Sequence, residues 1–203
     1  MNYVSLNICL TIKQIEPIHC GEIYMKMPFK KTEVVAFFAC ALLTMTLNVL
    51  AQETADPEKH FYDTTKAAPA AFNAGDFAKA EALSFDLLEQ AKSRKKNWNH
   101  GNAVHTANLV LGRIALKTGK MDEARHFLIE AGKTPGSPQL NTFGPDMVLA
   151  KELLEKGEID TVKKYFALCD KFWDKRFSKT EEWNILAVKG EIPDFGPNLR
   201  YVF

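Results

Sequence analysis

Paired cysteines are missing from most of this chain. Of four cysteines in 203 residues, Cys9, Cys20 and Cys40 lie before residue 52, which leaves Cys169 alone beyond it. A single thiol excludes an internal disulfide framework there. Its apolar setting, Phe166-Ala167-Leu168-Cys169, reads as a buried small hydrophobe. Charge of one sign is lacking too: the net charge is +1, and from Gln52 onward 22 Lys and Arg face 22 Asp and Glu. Bulk charge therefore implies neither nucleic acid nor an acidic surface as partner. The short basic run Arg94-Lys95-Lys96 reads as a solvated helix end. There is no Gly-rich phosphate cradle, no Gly-x-Ser-x-Gly turn and no histidine pair with a metalloprotease glutamate between. His100 and His105 stand five residues apart, on different faces of a helix, and His126 is isolated. These absences argue against an enzyme, a metal centre or a bound cofactor.

The first 51 residues differ from the rest. Lys26, Lys30 and Lys31 precede an apolar run over residues 34–50, closed by Val49-Leu50-Ala51. A basic region, an apolar region and a small residue at the end form a secretory leader. The pattern predicts a cut after Ala51 and an exported protein, periplasmic or secreted. Met25 or Met27 is the expected start, with residues 1–24 an upstream extension. The alternative is an uncleaved inner-membrane anchor over residues 34–51, near the lower length limit for a span. Residues 52–60 read as a polar linker and 61–203 as the folded domain.

Apolar residues then recur at helical spacing. Phe61, Ala67, Ala68, Ala71 and Phe72 predict a first helix, kinked at Pro69 or starting near it. Ala80, Leu83, Leu87, Leu88 and Ala91 predict a second, after the turn Gly75-Asp76. Ala103, Ala107, Val110, Leu111, Ile114 and Ala115 mark a third helix; Met121, Ala124, Phe127, Leu128 and Ala131 mark its return after Gly119-Lys120. Gly112 and Ala124, nearly without side chains, are expected to let the two backbones approach. Lys133 to Pro145 reads as a long loop stiffened by Pro135, Pro138 and Pro145. Met147, Leu149, Ala150, Leu153 and Leu154 begin a further helix; Ile159, Val162, Tyr165, Phe166 and Cys169 follow the Gly157 turn. Ser178 and Glu181 predict a capping box for a last helix over residues 179–188. The Pro- and Gly-bearing tail after Gly190 is expected to be extended and packed on the helices.

The turn glycines Gly75, Gly119 and Gly157 lie 44 and 38 residues apart. With Leu111-Gly112, Ala115, Gly119, Ala124, Leu128, Ala131 and Pro135, the chain resembles the tetratricopeptide repeat family. Asn108 stands where that family favours Trp, and Ala115 where it favours an aromatic. Leu149-Ala150, Gly157, Phe166 and Cys169 form a looser copy; Ala67-Ala68, Ala71, Gly75 and Ala80 form another. The resemblance covers residues 61–173. It implies an all-α fold: a short right-handed superhelical array of about three helix-turn-helix hairpins, plus a C-terminal capping helix and an extended tail. It also implies a non-catalytic scaffold with a protein or peptide partner in a concave groove. Asn73, Leu109, Arg113, Lys117, Met147, Lys151 and Glu155 would face that groove. Arg113, Lys117 and Lys151 would meet a carboxylate or a peptide terminus. The alternative is a small envelope hydrolase or polymer-binding factor using His100, His105 and the loop from Pro135 to Pro145. It requires those side chains in one concave pocket.

Overall fold

The computed structural model describes residues 56–199; the leader, its cut site, Tyr201 and Phe203 lie outside the described residues. Those described are all-α, with eight α-helices, one 3-10 turn and no strand among them. No described helix is long and apolar enough to cross a membrane. The helices are α1 (Pro57–Asn73), α2 (Phe77–Ser93), α3 (His100–Lys117), α4 (Met121–Gly132), α5 (Pro138–Phe143), α6 (Val148–Leu154), α7 (Ile159–Cys169) and α8 (Thr180–Val188).

Four of these helices stop in the same way. Gly75, Gly119, Gly157 and Gly190 carry φ of 80°, 77°, 81° and 78°, a conformation that disfavours a Cβ. The residue after each glycine donates its N–H back across the turn. Asp76 bonds the Ala71 carbonyl at 3.0 Å, Lys120 that of Ala115 at 2.9 Å, Glu158 that of Leu153 at 3.0 Å and Glu191 that of Leu186 at 3.0 Å. These bonds satisfy carbonyls that a helix end leaves open.

α3 is the central element and packs against α1, α2, α4, α5 and α6. Its Gly112 is a true point of approach: a Cβ there would lie 2.3 Å from Leu149 Cδ2, 3.2 Å from Phe127 Cβ and 3.5 Å from the Ala124 carbonyl. α7 packs on α4, α6 and α8. Tyr165, Phe166, Trp173, Trp183 and Phe195 bury an aromatic core there, with Cys169 inside it. Burial pushes the Cys169 thiol pKa up, which fits an inert packing role.

Four expectations need correction. The linker ends earlier than residue 60: Asp56 caps α1 by accepting from the Glu58 N–H, and Pro57 occupies the first turn, where a missing N–H costs nothing. α1 then runs through Pro69 to Asn73. The long loop contains α5, because Ser137 Oγ accepts from the Leu140 N–H at 3.0 Å and Pro138 starts the helix. The capping box at Ser178 and Glu181 does not form. Ser178 and Thr180 instead turn their hydroxyls to Asp170 Oδ1, and α8 starts at Thr180. The tail is packed, as expected, but it ends in a 3-10 turn over Gly196–Leu199. Phe195 meets Trp183 edge-on at 4.9 Å. Asn198 Nδ2 donates to the carbonyls of Phe143 at 3.1 Å and Pro145 at 2.8 Å, and its own carbonyl accepts from the Met147 N–H at 2.9 Å. The tail thereby fixes the α5–α6 connection.

Candidate functional site

α1, α3, α5 and the start of α6 enclose a groove of about 700 Å³. That volume is in the range of small-ligand and peptide pockets. Pro69, Leu109, Val110, Leu140 and Leu149 make its walls apolar. Pro69 suits such a wall, since its missing N–H leaves no donor there to satisfy. Two aromatics stand at the rim, Trp98 at 52% and Phe143 at 58% exposure. Trp98 is steadied by Tyr62, ring centroids 5.5 Å apart at 25°.

A rail of amides crosses one side. Asn99 Nδ2 donates to Thr65 Oγ1 at 3.1 Å, and Asn102 Nδ2 donates to Asn99 Oδ1 at 3.0 Å and to Gln139 Oε1 at 3.1 Å. Ser137 Oγ closes the rail on Asn102 Oδ1 at 2.6 Å. Each amide is oriented by its neighbour, so α1, α3 and α5 are tied together across the groove.

His105 and Asp146 form the floor. The Asp146 backbone N–H donates to His105 Nε2 at 3.2 Å. Nε2 therefore carries the lone pair, and Nδ1–H donates to the Ala131 carbonyl at 3.2 Å. Both ring nitrogens are spent on backbone groups. Burial lowers the His105 pKa to about 4, against a smaller upward pull from the Ala131 carbonyl. Tyr165 lies parallel to the imidazole, centroids 6.4 Å apart, and its hydroxyl donates to the Asp146 carbonyl at 2.9 Å. Asp146 Oδ1 accepts from the Val148 N–H at 2.7 Å. Burial raises the Asp146 carboxyl to about 6. The Val148 N–H and the Arg113 charge oppose the rise, and Glu152 adds to it.

Arg113 lies beside this floor but is already occupied. Its Nε donates to Glu152 Oε1 at 3.1 Å and Oε2 at 3.2 Å, its Nη2 to Oε1 at 2.9 Å, and its guanidinium covers the Phe72 ring at 4.3 Å. Next to Asp146, Gly144 has φ of 86°, and a Cβ there would fall 2.4 Å from Trp173 Cζ2. The bend that presents Asp146 thus depends on glycine.

Of the seven expected groove residues, Leu109 and Arg113 line the groove; Asn73, Lys117, Met147, Lys151 and Glu155 do not. Asn73 and Lys117 are exposed at the last residues of α1 and α3. Met147 is fully buried in the core beside the aromatic rings, and its N–H donates to the Asn198 carbonyl of the tail. Lys151 and Glu155 pair with each other. The carboxylate that Arg113 was expected to find in a partner is supplied by Glu152. His105 does join Gln139, Leu140, Phe143 and Gly144 of the loop in one pocket. His100 does not line it, and its buried Nδ1 has no partner among the described residues. Among those residues no three His, Cys, Asp or Glu side chains are grouped as metal ligands.

Trp98, Asn99, Asn102 and Asp146 went unread in the sequence. The run Asn97-Trp98-Asn99 with Asn102 shortly after was a signal, since amides cluster where backbone or ligand must be met. Asp146 gave none; its burial follows from three helices meeting. No protein-family model, curated protein or solved structure matches the chain.

Proposed function

We infer that this is a non-catalytic binding scaffold of tetratricopeptide-like hairpins, α1–α2, α3–α4 and α6–α7, capped by α8 and the tail. It is exported, and it holds an extended peptide segment of a partner protein in the groove between α1, α3, α5 and α6. One observation carries the reading: an open, apolar groove of about 700 Å³ edged by pre-oriented amides. Apolar walls accept side chains by burial. Asn and Gln amides, donor and acceptor at once, suit a peptide backbone. The hydrolase alternative is disfavoured by His105, whose two nitrogens are engaged and which stays neutral. A general base needs a free nitrogen within reach of substrate.

Thr106 lines the groove from α3. Peptides selected from a displayed random library against the protein should lose at least about tenfold in affinity for Thr106→Trp, whose indole would fill the groove. Equal affinity for both proteins would place the binding surface elsewhere and end this reading.

A further inference from the structure

Asp146 is 8% exposed, lines the groove and has a carboxyl oxygen to spare. Oδ1 is taken by the Val148 N–H, whereas Oδ2 accepts no hydrogen bond among the described residues. The charges around it do not balance. Arg113 is the cation of a group of three whose anions are Glu152 and Asp146, and Glu152 already holds the guanidinium in three bonds. With both carboxylates ionised, one negative charge is left at the end of an apolar groove. A buried unpaired charge is costly, and a cation that reaches it offsets the cost.

We propose that the groove selects a lysine side chain within an otherwise apolar peptide segment, seating its ammonium on Asp146 Oδ2. The proposal rests on the peptide-binding reading above. Lysine fits on two counts. Its four-methylene stem can lie along Leu109, Leu140 and Leu149 while the charged end reaches the floor. Its ammonium is compact, whereas the planar arginine fork is adapted to engage both oxygens of a carboxylate, and Oδ1 is occupied. Phe143 at the rim offers an aromatic face to the entering stem or to a flanking apolar residue. Lys66, exposed where it lines the groove, disfavours a cation beside it and so favours seating the ammonium at Asp146.

The test uses three capped heptapeptides of leucine and alanine that differ at the central residue: lysine, its uncharged isostere norleucine, or glutamate. Calorimetric titration of the protein at pH 7.5 should give the lysine peptide an affinity about tenfold above norleucine, with glutamate weakest. Asp146→Asn, which keeps the shape and an acceptor for the Val148 N–H, should bring the lysine and norleucine affinities to within about twofold of each other. Equal affinities for lysine and norleucine would overturn the lysine proposal and leave peptide binding standing. Failure of all three peptides to bind would overturn both.

The pH profile of the unmodified protein is a second readout that does not depend on the variant folding. The charged and titratable groups facing Asp146 are His105 and Arg113 on α3, Glu152 on α6 and Tyr165 on α7; Lys66 on α1 lines the same groove but is exposed. Asp146 takes up its proton near pH 6, and His105 stays neutral down to about 4. The lysine preference should fall below about threefold between pH 7.5 and 5, with norleucine binding flat. A preference that persists at pH 5 contradicts the seat on Asp146.

Discussion

The two ends of the helical domain are held together by different means. Around α7 and α8 the interior is built from large rings: Phe166, Trp173, Trp183 and Phe195 meet with centroids 4.9 to 6.2 Å apart. Around α1 and α2 it is built from small residues. Ala91, Ala103 and Ala107 surround Phe61 and Leu87 in one cluster, and Ala71 and Ala80 sit with Phe72, Val110 and Ile114 in another. Small alanine side chains let these helices approach closely. Around the shorter helices α7 and α8 aromatic residues fill the interior, and their packing with Phe195 seats the tail whose Asn198 bonds the α5–α6 connection. The groove lies where the two constructions meet on α3. Its α1 wall depends on the first construction, and its floor at Asp146 on the second.

The largest break in this comparison should come from Trp183→Ala. Removing a fully buried indole from the aromatic core should cost about 4 kcal/mol in urea unfolding. A loss under about 1 kcal/mol would mean the aromatic cluster is not the anchor described here. Gly144→Ala should follow at about 3 kcal/mol, since it combines a left-handed backbone with a clash against Trp173. Its effect on peptide binding should exceed that of a variant equally destabilised in α2.

Asp146 and His105 sharpen the comparison through pH. The Asp146 pKa rises from an ordinary 3.8 to about 6 on folding, so the native state holds the extra proton. Its contribution to stability is present below pH 4 and lost as pH rises through 6. His105 falls from an ordinary 6.5 to about 4, so its contribution is present above 6.5 and lost as pH falls through 4. Between pH 4 and 6 the two slopes oppose one another. Asp146→Asn should remove one of them: the variant should gain about 3 kcal/mol over the parent at pH 8, almost nothing at pH 4, and show the rise with pH that His105 alone produces. Chemical denaturation across that range reads this directly; parallel profiles for variant and parent would refute it. Smallest of all is Gly112→Ala. The added methyl meets a terminal methyl of Leu149 rather than backbone, and alanine's helix preference of about 1 kcal/mol offsets the crowding, so the net cost should be about 1 kcal/mol. Thermal denaturation showing a loss above about 3 kcal/mol would mean the α3 contact is stiffer than its neighbours suggest.

Local signals carried far in this chain. The turn glycines, the stripe on α3 and the small residues at Gly112 and Ala124 were legible because each is decided within one helix or one turn. The first turn of α1 and the whole of α5 were not, since Pro57 and Pro138 read as breaks when each occupies a helix start behind a capping side chain. The site was harder. Leu109 and Arg113 follow from the phase of α3. Met147, Lys151 and Glu155 belong to the groove only if the segment around α6 presents the same face as α3, whereas Met147 is buried in the core and Lys151 pairs with Glu155. Asp146 depends on His105, Tyr165 and Val148 coming from three separate helices, and no spacing in the chain encodes that meeting.

Amide-shift mapping of the lysine heptapeptide on the isotope-labelled protein tests the groove most directly. The account predicts that the largest shifts concentrate at Trp98, Asn102, Thr106 and Val148 and vanish in Thr106→Trp. Shifts centred instead on the exposed apolar residues Phe85 of α2 or Ile185 of α8 would contradict it.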